Sequence, residues 1–229
     1  LSNTYIGVYV DGIDVSDPSR TQTQFDFGSL TSGGIGRVEM LKGSQSAIYG
    51  SEAIAGVVNI QTRGASEIGS EYFVDVEVGS YGTRSATLGA ATKSERGELA
   101  FTFTQTDTNG FSAQDENDGN TEADGYEGTT AVLSASFEAT DQLTLGGTMF
   151  YMGSDANIDG FGGAGGDADR PFSNTRKALR VYAQYEGDVI NHEVSVSRAM
   201  NSSRDPLGWT TEFDGARTEF DYSGNTTLG

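Results

Sequence analysis

The sequence predicts a mostly β protein in two parts. A small α+β portion covers residues 1–65, and about eight antiparallel strands of a transmembrane β-barrel, incomplete in this chain, cover residues 66–229. Three observations carry this expectation. Beyond residue 66, apolar residues recur at alternate positions, so each strand has one greasy face and one small or polar face. Short and long connections nearly alternate, as tight turns at one end of a barrel and long loops at the other require. The 32 glycines against 3 prolines suit turn-rich β structure. No run approaches the roughly 18 apolar residues of a membrane-spanning helix. A soluble β-sandwich shares the alternation and is the competing architecture.

The first strand is read from Ile6, Val8 and Val10, which alternate with Gly7 and Tyr9 before an Asp11-Gly12 turn signal. Residues 18–36 are polar and glycine-containing, a loop with one helical turn, anchored by Phe25, Phe27 and Leu30. Arg37-Val38-Glu39-Met40-Leu41-Lys42 alternates as a short strand and stops at Gly43. Gly43, Ser44, Gly50 and Ser51 bracket Ala47-Ile48-Tyr49 in a turn-rich segment. Ala53, Ala55 and Gly56 then permit close backbone approach ahead of the strand Val57-Val58-Asn59-Ile60. Gly64-Ala65-Ser66 breaks the pattern and marks the boundary between the two parts.

Beyond it, Val74, Val76 and Val78 oppose Phe73, Asp75 and Glu77, and a weaker strand of small residues runs from Thr83 to Lys93. Leu99, Phe101 and Phe103 alternate next, followed by a long acidic loop over residues 107–128. Leu133 and Phe137 mark the next strand, and Leu145, Met149 and Tyr151 the one after it. A glycine- and aspartate-rich loop is expected over residues 155–174. The last three strands carry Leu179, Val181 and Tyr185, then Ile190, Val194 and Val196, then Phe220 and Tyr222. Phe111, Tyr126, Tyr151 and Tyr222 fall toward strand ends, and Glu77, Arg180, Glu186 and Glu193 sit opposite the apolar faces. Both features favour the barrel over the sandwich.

The net charge of −19 is uneven, with −2 over residues 1–65 and −17 over the remainder. So acidic a surface repels phosphate backbones and argues against nucleic-acid binding. There are no cysteines, hence no disulfides or thiolate metal sites. Asp155, Asp159, Asp167 and Asp169 offer hard oxygen donors that could hold Ca²⁺, with a solvated surface loop as the plainer alternative. Gly160 to Gly165 satisfies G-x-G-x-x-G but has no helix after it, so it is not a dinucleotide site. The lone His192 has no local partners for a catalytic triad. The chain reads as a non-enzyme.

The run Val38 to Gly43, then Ser46 to Ser51, then Ala53 to Ile60 resembles the end of the plug domain of TonB-dependent outer-membrane receptors, nearest to the cobalamin and siderophore group. Val8 to Gly12 resembles an earlier plug strand and its turn. The structural motif so identified comprises Asp11, Gly12, Gly43, Tyr49, Gly50, Gly56 and Asn59. Ser44 departs from the family's usual proline and loosens that turn. The resemblance implies that residues 1–65 are the C-terminal part of a plug and residues 66–229 the first barrel strands. It also implies that Arg37, Glu39 and Lys42 form plug–barrel contacts, the two cations pairing with acids on the wall. The loop from Asp155 faintly resembles one that binds calcium in some cobalamin receptors. The implied function is active import of a metal chelate, siderophore or cobalamin-like, across a Gram-negative outer membrane. A TonB-type energy-transducing protein would drive it through a segment outside these residues, so the chain by itself is expected to transport nothing. Import of a carbohydrate or peptide, or a non-transport surface barrel or adhesin, are the alternatives.

Overall fold

In the computed structural model the described residues are 5–19, 25, 27–31, 33–49, 53–112, 123–159 and 170–226. They form two sheets, one of four strands and one of eight.

The small sheet has the order β2-β1-β4-β3, with β1 Ile6–Val10, β2 Ile13–Asp14, β3 Ile35–Lys42 and β4 Gly56–Thr62. Asp11 (φ 46°) and Gly12 (φ 79°) both adopt positive φ, so β1 and β2 close as a two-residue hairpin whose twist matches its strands. β1 and β4 run parallel, from Ile6 opposite Gly56 to Val10 opposite Ile60. Parallel neighbours need a long crossover. Residues 15–55 supply it, and their described part includes β3 and the one-turn helix α1, Ser46–Tyr49. The expected helical turn within residues 18–36 is a 3-10 turn at Phe27–Ser29.

The large sheet, here called the wall, is an antiparallel meander in which each strand pairs with its sequence neighbours. Its strands are β5 Gly69–Val78, β6 Arg84–Ser94, β7 Gly97–Thr108, β8 Tyr126–Thr140, β9 Leu143–Ile158, β10 Arg170–Glu186, β11 Asn191–Arg204 and β12 Glu212–Asn225. The two-residue turns at 95–96 and 141–142 and the connection 187–190 lie at one end. Residues 109–125, 159–169 and 205–211 connect strands at the other.

Strands β8 to β12 run 14 to 17 residues, longer than the alternation alone suggested. Asp155 and residues 170–174 are therefore strand, which corrects the expected loop over 155–174. The reason is chemical. Past the apolar band the outward positions become polar and bond across strands: Gln105 Nε2 donates to Glu127 Oε1 at 2.8 Å, and Thr129 Oγ1 to Gln105 Oε1 at 2.5 Å. Such residues look like loop in a sequence but satisfy one another on a ladder.

On the outer face Val76 is 72% exposed, Met149 55% and Phe220 82%, and no second sheet covers that face among the described residues. So wide an apolar surface marks a contact with lipid or protein, and the sandwich alternative falls. On the inner face Val132, Phe150, Met152, Ala178 and Ala199 are buried against Val8, Val10, Ile13, Val15, Phe25 and Ile60 of the small sheet and its crossover. The main core thus lies between the two sheets.

Candidate functional site

The contact between small sheet and wall is built from short-range devices that aim a few side chains across the gap. At the β1–β2 turn the Asp11 carboxylate accepts from Thr62 N at 3.0 Å and from Thr62 Oγ1 at 2.6 Å, tying the hairpin to the end of β4. Burial pushes the Asp11 carboxyl above its usual 3.8, and the two Thr62 bonds only partly offset this. A carboxyl raised on folding stabilises most below its unfolded value, and that contribution is lost as pH climbs through the folded value. Asp11→Asn should therefore flatten the acid side of the stability profile while keeping an acceptor for Thr62 N and tolerating positive φ. Asp11→Ala should cost about 1–3 kcal/mol through an unpaired Thr62 amide. Thermal unfolding from mildly acidic to neutral pH checks both.

Next to this turn lies Arg180 of β10. A Cβ on Gly12 would sit 3.1 Å from the Arg180 Cζ, so glycine serves here for close approach as well as for its φ. Arg180 is held by Glu193 at 2.5 Å and lies over the Tyr182 ring at 4.7 Å. Two residues on from Gly12, Asp14 divides its carboxylate. Oδ1 accepts from Ser16 N at 2.8 Å, and Oδ2 pairs with Arg217 Nη2 of β12 at 2.6 Å. The same Arg217 donates to the Asp14 carbonyl at 3.3 Å and reaches Glu219 at 3.3 Å. Arg176 of β10 is buried over the Phe25 ring at 5.2 Å, and its Nε donates to Asn201 Oδ1 at 3.3 Å. Gly33 and Gly34 lie against Thr87 and Thr102, both buried on the wall. Where the chain passes between the sheets, Ala65 N donates to Glu98 Oε1 at 3.1 Å.

The polar face of the small sheet, with Tyr9, Asn59 and Gln61, borders a cavity of about 1060 Å³. Its other walls include Glu98, Ser134, Arg180, Gln184, Glu193 and Asp221. The small sheet thus packs on apolar residues on one side and borders a polar, open cavity on the other.

Arg37, Glu39 and Lys42, expected as plug–barrel contacts, lie on β3. Arg37 pairs with Glu39 on its own strand at 2.5 Å, and Lys42 is exposed with no ion pair among the described residues. None of the three makes a hydrogen bond or ion pair to β5–β12 among the described residues, because β3 is the edge opposite β2, and it is β2 that approaches β10 and β11. Of the motif residues, Tyr49 packs on Tyr9 at a centroid distance of 5.2 Å and its carbonyl accepts from Tyr9 Oη at 3.2 Å. Gly43 has φ 92°, and Gly56 and Asn59 lie in β4, where a Cβ on Gly56 would strike the Leu41 carbonyl. Gly50 lies outside the described residues.

Asp155 is exposed on β9 opposite Glu127, and Asp159 follows that strand. Asp167 and Asp169 lie outside the described residues, as does the run 160–165. No group of three or more acidic or histidine side chains arranged for a metal occurs among the described residues. His192 hydrogen-bonds Tyr222 Oη at 2.9 Å. Sequence reasoning missed Asp14, Gly33, Gly34, Arg176 and Arg217. Only Asp14 left a trace, as an acid between the apolar Ile13 and Val15.

Residues 1–57 match the family model of the TonB-dependent Receptor Plug Domain. The vitamin B12 transporter BtuB of Photobacterium profundum is 26% identical over 211 residues, which is 89% of this chain and 32% of that protein. BtuB of Vibrio vulnificus is 24% identical over 89% of this chain and 32% of its own length. The chain therefore spans about a third of the curated relatives it matches. Among solved structures, the ferric yersiniabactin uptake receptor FyuA of Yersinia pestis superposes with a TM-score of 0.71 at 14% identity, covering 98% of this chain and 37% of that one. The copper transporter OprC gives 0.65 at 16% identity, over 96% and 36%. The chain is similar to TonB-dependent receptors of the cobalamin and siderophore group, by family model and relatives in sequence and by superposition in fold.

Proposed function

We propose that this chain is a segment of a TonB-dependent outer-membrane receptor, with residues 1–65 ending the plug and residues 66–229 opening the barrel, and that the receptor imports a metal chelate. One observation carries the reading: the small sheet packs on one face of the wall, while the wall's other face is apolar and uncovered among the described residues. A lipid-facing channel wall with a folded stopper inside it has that distribution of polarity. The choice of a chelate rests on the relatives, whose names include vitamin B12, ferric yersiniabactin and copper. A TonB-type protein would supply the work from the periplasmic side, and outer-membrane lipid would surround the wall.

The extracellular end is the long-loop end, where residues 109–125, 159–169 and 205–211 emerge. The loop 205–211 is braced at its root by a two-pronged Arg170–Asp205 pair, with Arg170 Nε donating to Asp205 Oδ1 at 2.8 Å. That pairing holds the Asp205 carboxyl below its usual 3.8. A Ca²⁺ near residue 159 belongs to this proposal on the strength of Asp159, whose carboxylate oxygens are buried without a hydrogen-bond partner among the described residues.

The test is uptake by cells carrying the full-length receptor. Labelled cyanocobalamin, a ferric siderophore, a maltodextrin and an oligopeptide are each offered with and without a protonophore, and with and without a calcium chelator. Accumulation of a chelate that stops when the inner membrane is de-energised is expected. Import of the sugar or peptide alone would move the substrate class, and cell attachment without any uptake would support the adhesin. Chelate binding indifferent to calcium removal would dismiss the cation.

A further inference from the structure

We infer that the Asp14–Arg217 pair is the plug's fixed point, the corner that stays fastened to the barrel while the rest of the plug moves. This rests on the import reading above. The two residues are 203 positions apart in the chain yet meet at 2.6 Å, with side chains only 5% and 19% exposed. Asp14 cannot let go cheaply. Its other carboxylate oxygen holds Ser16 N at 2.8 Å, so the group is oriented by the plug's own backbone. Charges buried this far are expensive to separate, because each must find water or a new partner.

Two neighbouring features make the corner rigid. Two residues before Arg217, Gly215 brings β12 so close that a Cβ there would lie 2.6 Å from Ser19 N, and only glycine permits that approach. Beside the pair, Ile13 and Val15 are 0% exposed within the apolar core that includes Phe150 and Met152 of the wall. Withdrawing this corner would expose that core to water. The opposite face of the same sheet borders the polar cavity, where Asn59 and Gln61 can exchange partners for water at little cost. Movement is therefore cheap on the cavity side and costly at β2, and a path through the barrel would open on the former.

Two arms on the full-length receptor test this. In the first, purified receptor in detergent is digested with protease, which needs no substrate. Arg217→Met, which strands the Asp14 charge while leaving the plug sequence intact, should speed cleavage within the plug roughly tenfold. Arg217→Lys should fall between it and the parent, and Asp14→Leu with Arg217→Met should recover most of the protection. Cleavage of Arg217→Met at the parental rate overturns the proposal.

In the second arm, Asp14→Cys with Arg217→Cys is joined by a short bis-methanethiosulfonate, which forms one disulfide with each cysteine, releases methanesulfinate at each end and is cleaved by a reductant, in a segment that has no other cysteine. Cross-linked receptor should keep at least about half its uptake. Loss of uptake that returns when the spacer is cleaved overturns the fixed point, since the corner would then have to move. If the double-cysteine receptor is inactive before cross-linking, the protease arm decides. Absence of uptake by the parental receptor counts against the import reading alone.

Discussion

Leu133→Arg should all but abolish accumulation of the receptor in the outer membrane, while Glu127→Arg on the same strand and face should leave it near normal. Leu133 projects outward from β8, 38% exposed, level with Phe101 of β7 and Met149 of β9. These residues lie within the apolar band. A guanidinium there must be carried into hydrocarbon, at about 2–4 kcal/mol near the bilayer midplane and about 0–1 kcal/mol near its edges. Glu127 is six residues nearer the long-loop end, already among the polar outward groups, where it accepts from Gln105. Membrane fractionation and heat-modifiable mobility of the folded barrel would measure the contrast. Equal tolerance of both substitutions would mean that this face does not meet lipid, and the import reading would fall with it.

Phe25→Ala should be the most damaging single truncation within the plug. The ring is 1% exposed, edge-on to Phe27 at 5.1 Å and beneath the Arg176 guanidinium. Its loss opens a cavity in a core to which both sheets contribute, and the cost expected for a buried phenylalanine is about 3–5 kcal/mol. The wall's own hydrogen-bonded ladder is untouched, so the plug should unfold well below the barrel's transition, where the parental receptor keeps the two closer together. Phe27→Ala, at a ring 42% exposed, is the control and should shift the plug far less. Differential scanning calorimetry, with protease sampling along the ramp, separates the two events.

The outward faces of the wall were legible in the sequence because they answer to a single constraint. Leu133 and Phe137, or Leu145 and Met149, fall at same-face positions of an alternating run, and the structure turns all four outward. Strand ends were not legible, since Asp155, Ser173 and Thr175 have the composition of a loop and reveal themselves as strand only through their ladder partners. The Asp11-Gly12 hairpin could be read locally because the turn chemistry is local. The plug–wall contacts could not. Asp14 and Arg217 have no relation in sequence, and the glycines at 33 and 34 have meaning only once Thr87 and Thr102 are beside them. Arg37, expected to reach the wall, pairs within the described residues with Glu39, two residues along.

The parallel alignment of β1 and β4 has a mechanical consequence. β4 continues from its C-terminal end at Thr62 directly into the wall, whereas the chain ahead of Tyr5 enters β1 at the opposite end. Tension applied ahead of Tyr5 and resisted through Arg63 would load the hydrogen bonds between these strands in shear, all at once, not peel them apart in turn. The peripheral β3, by contrast, could detach under the same force one bond at a time.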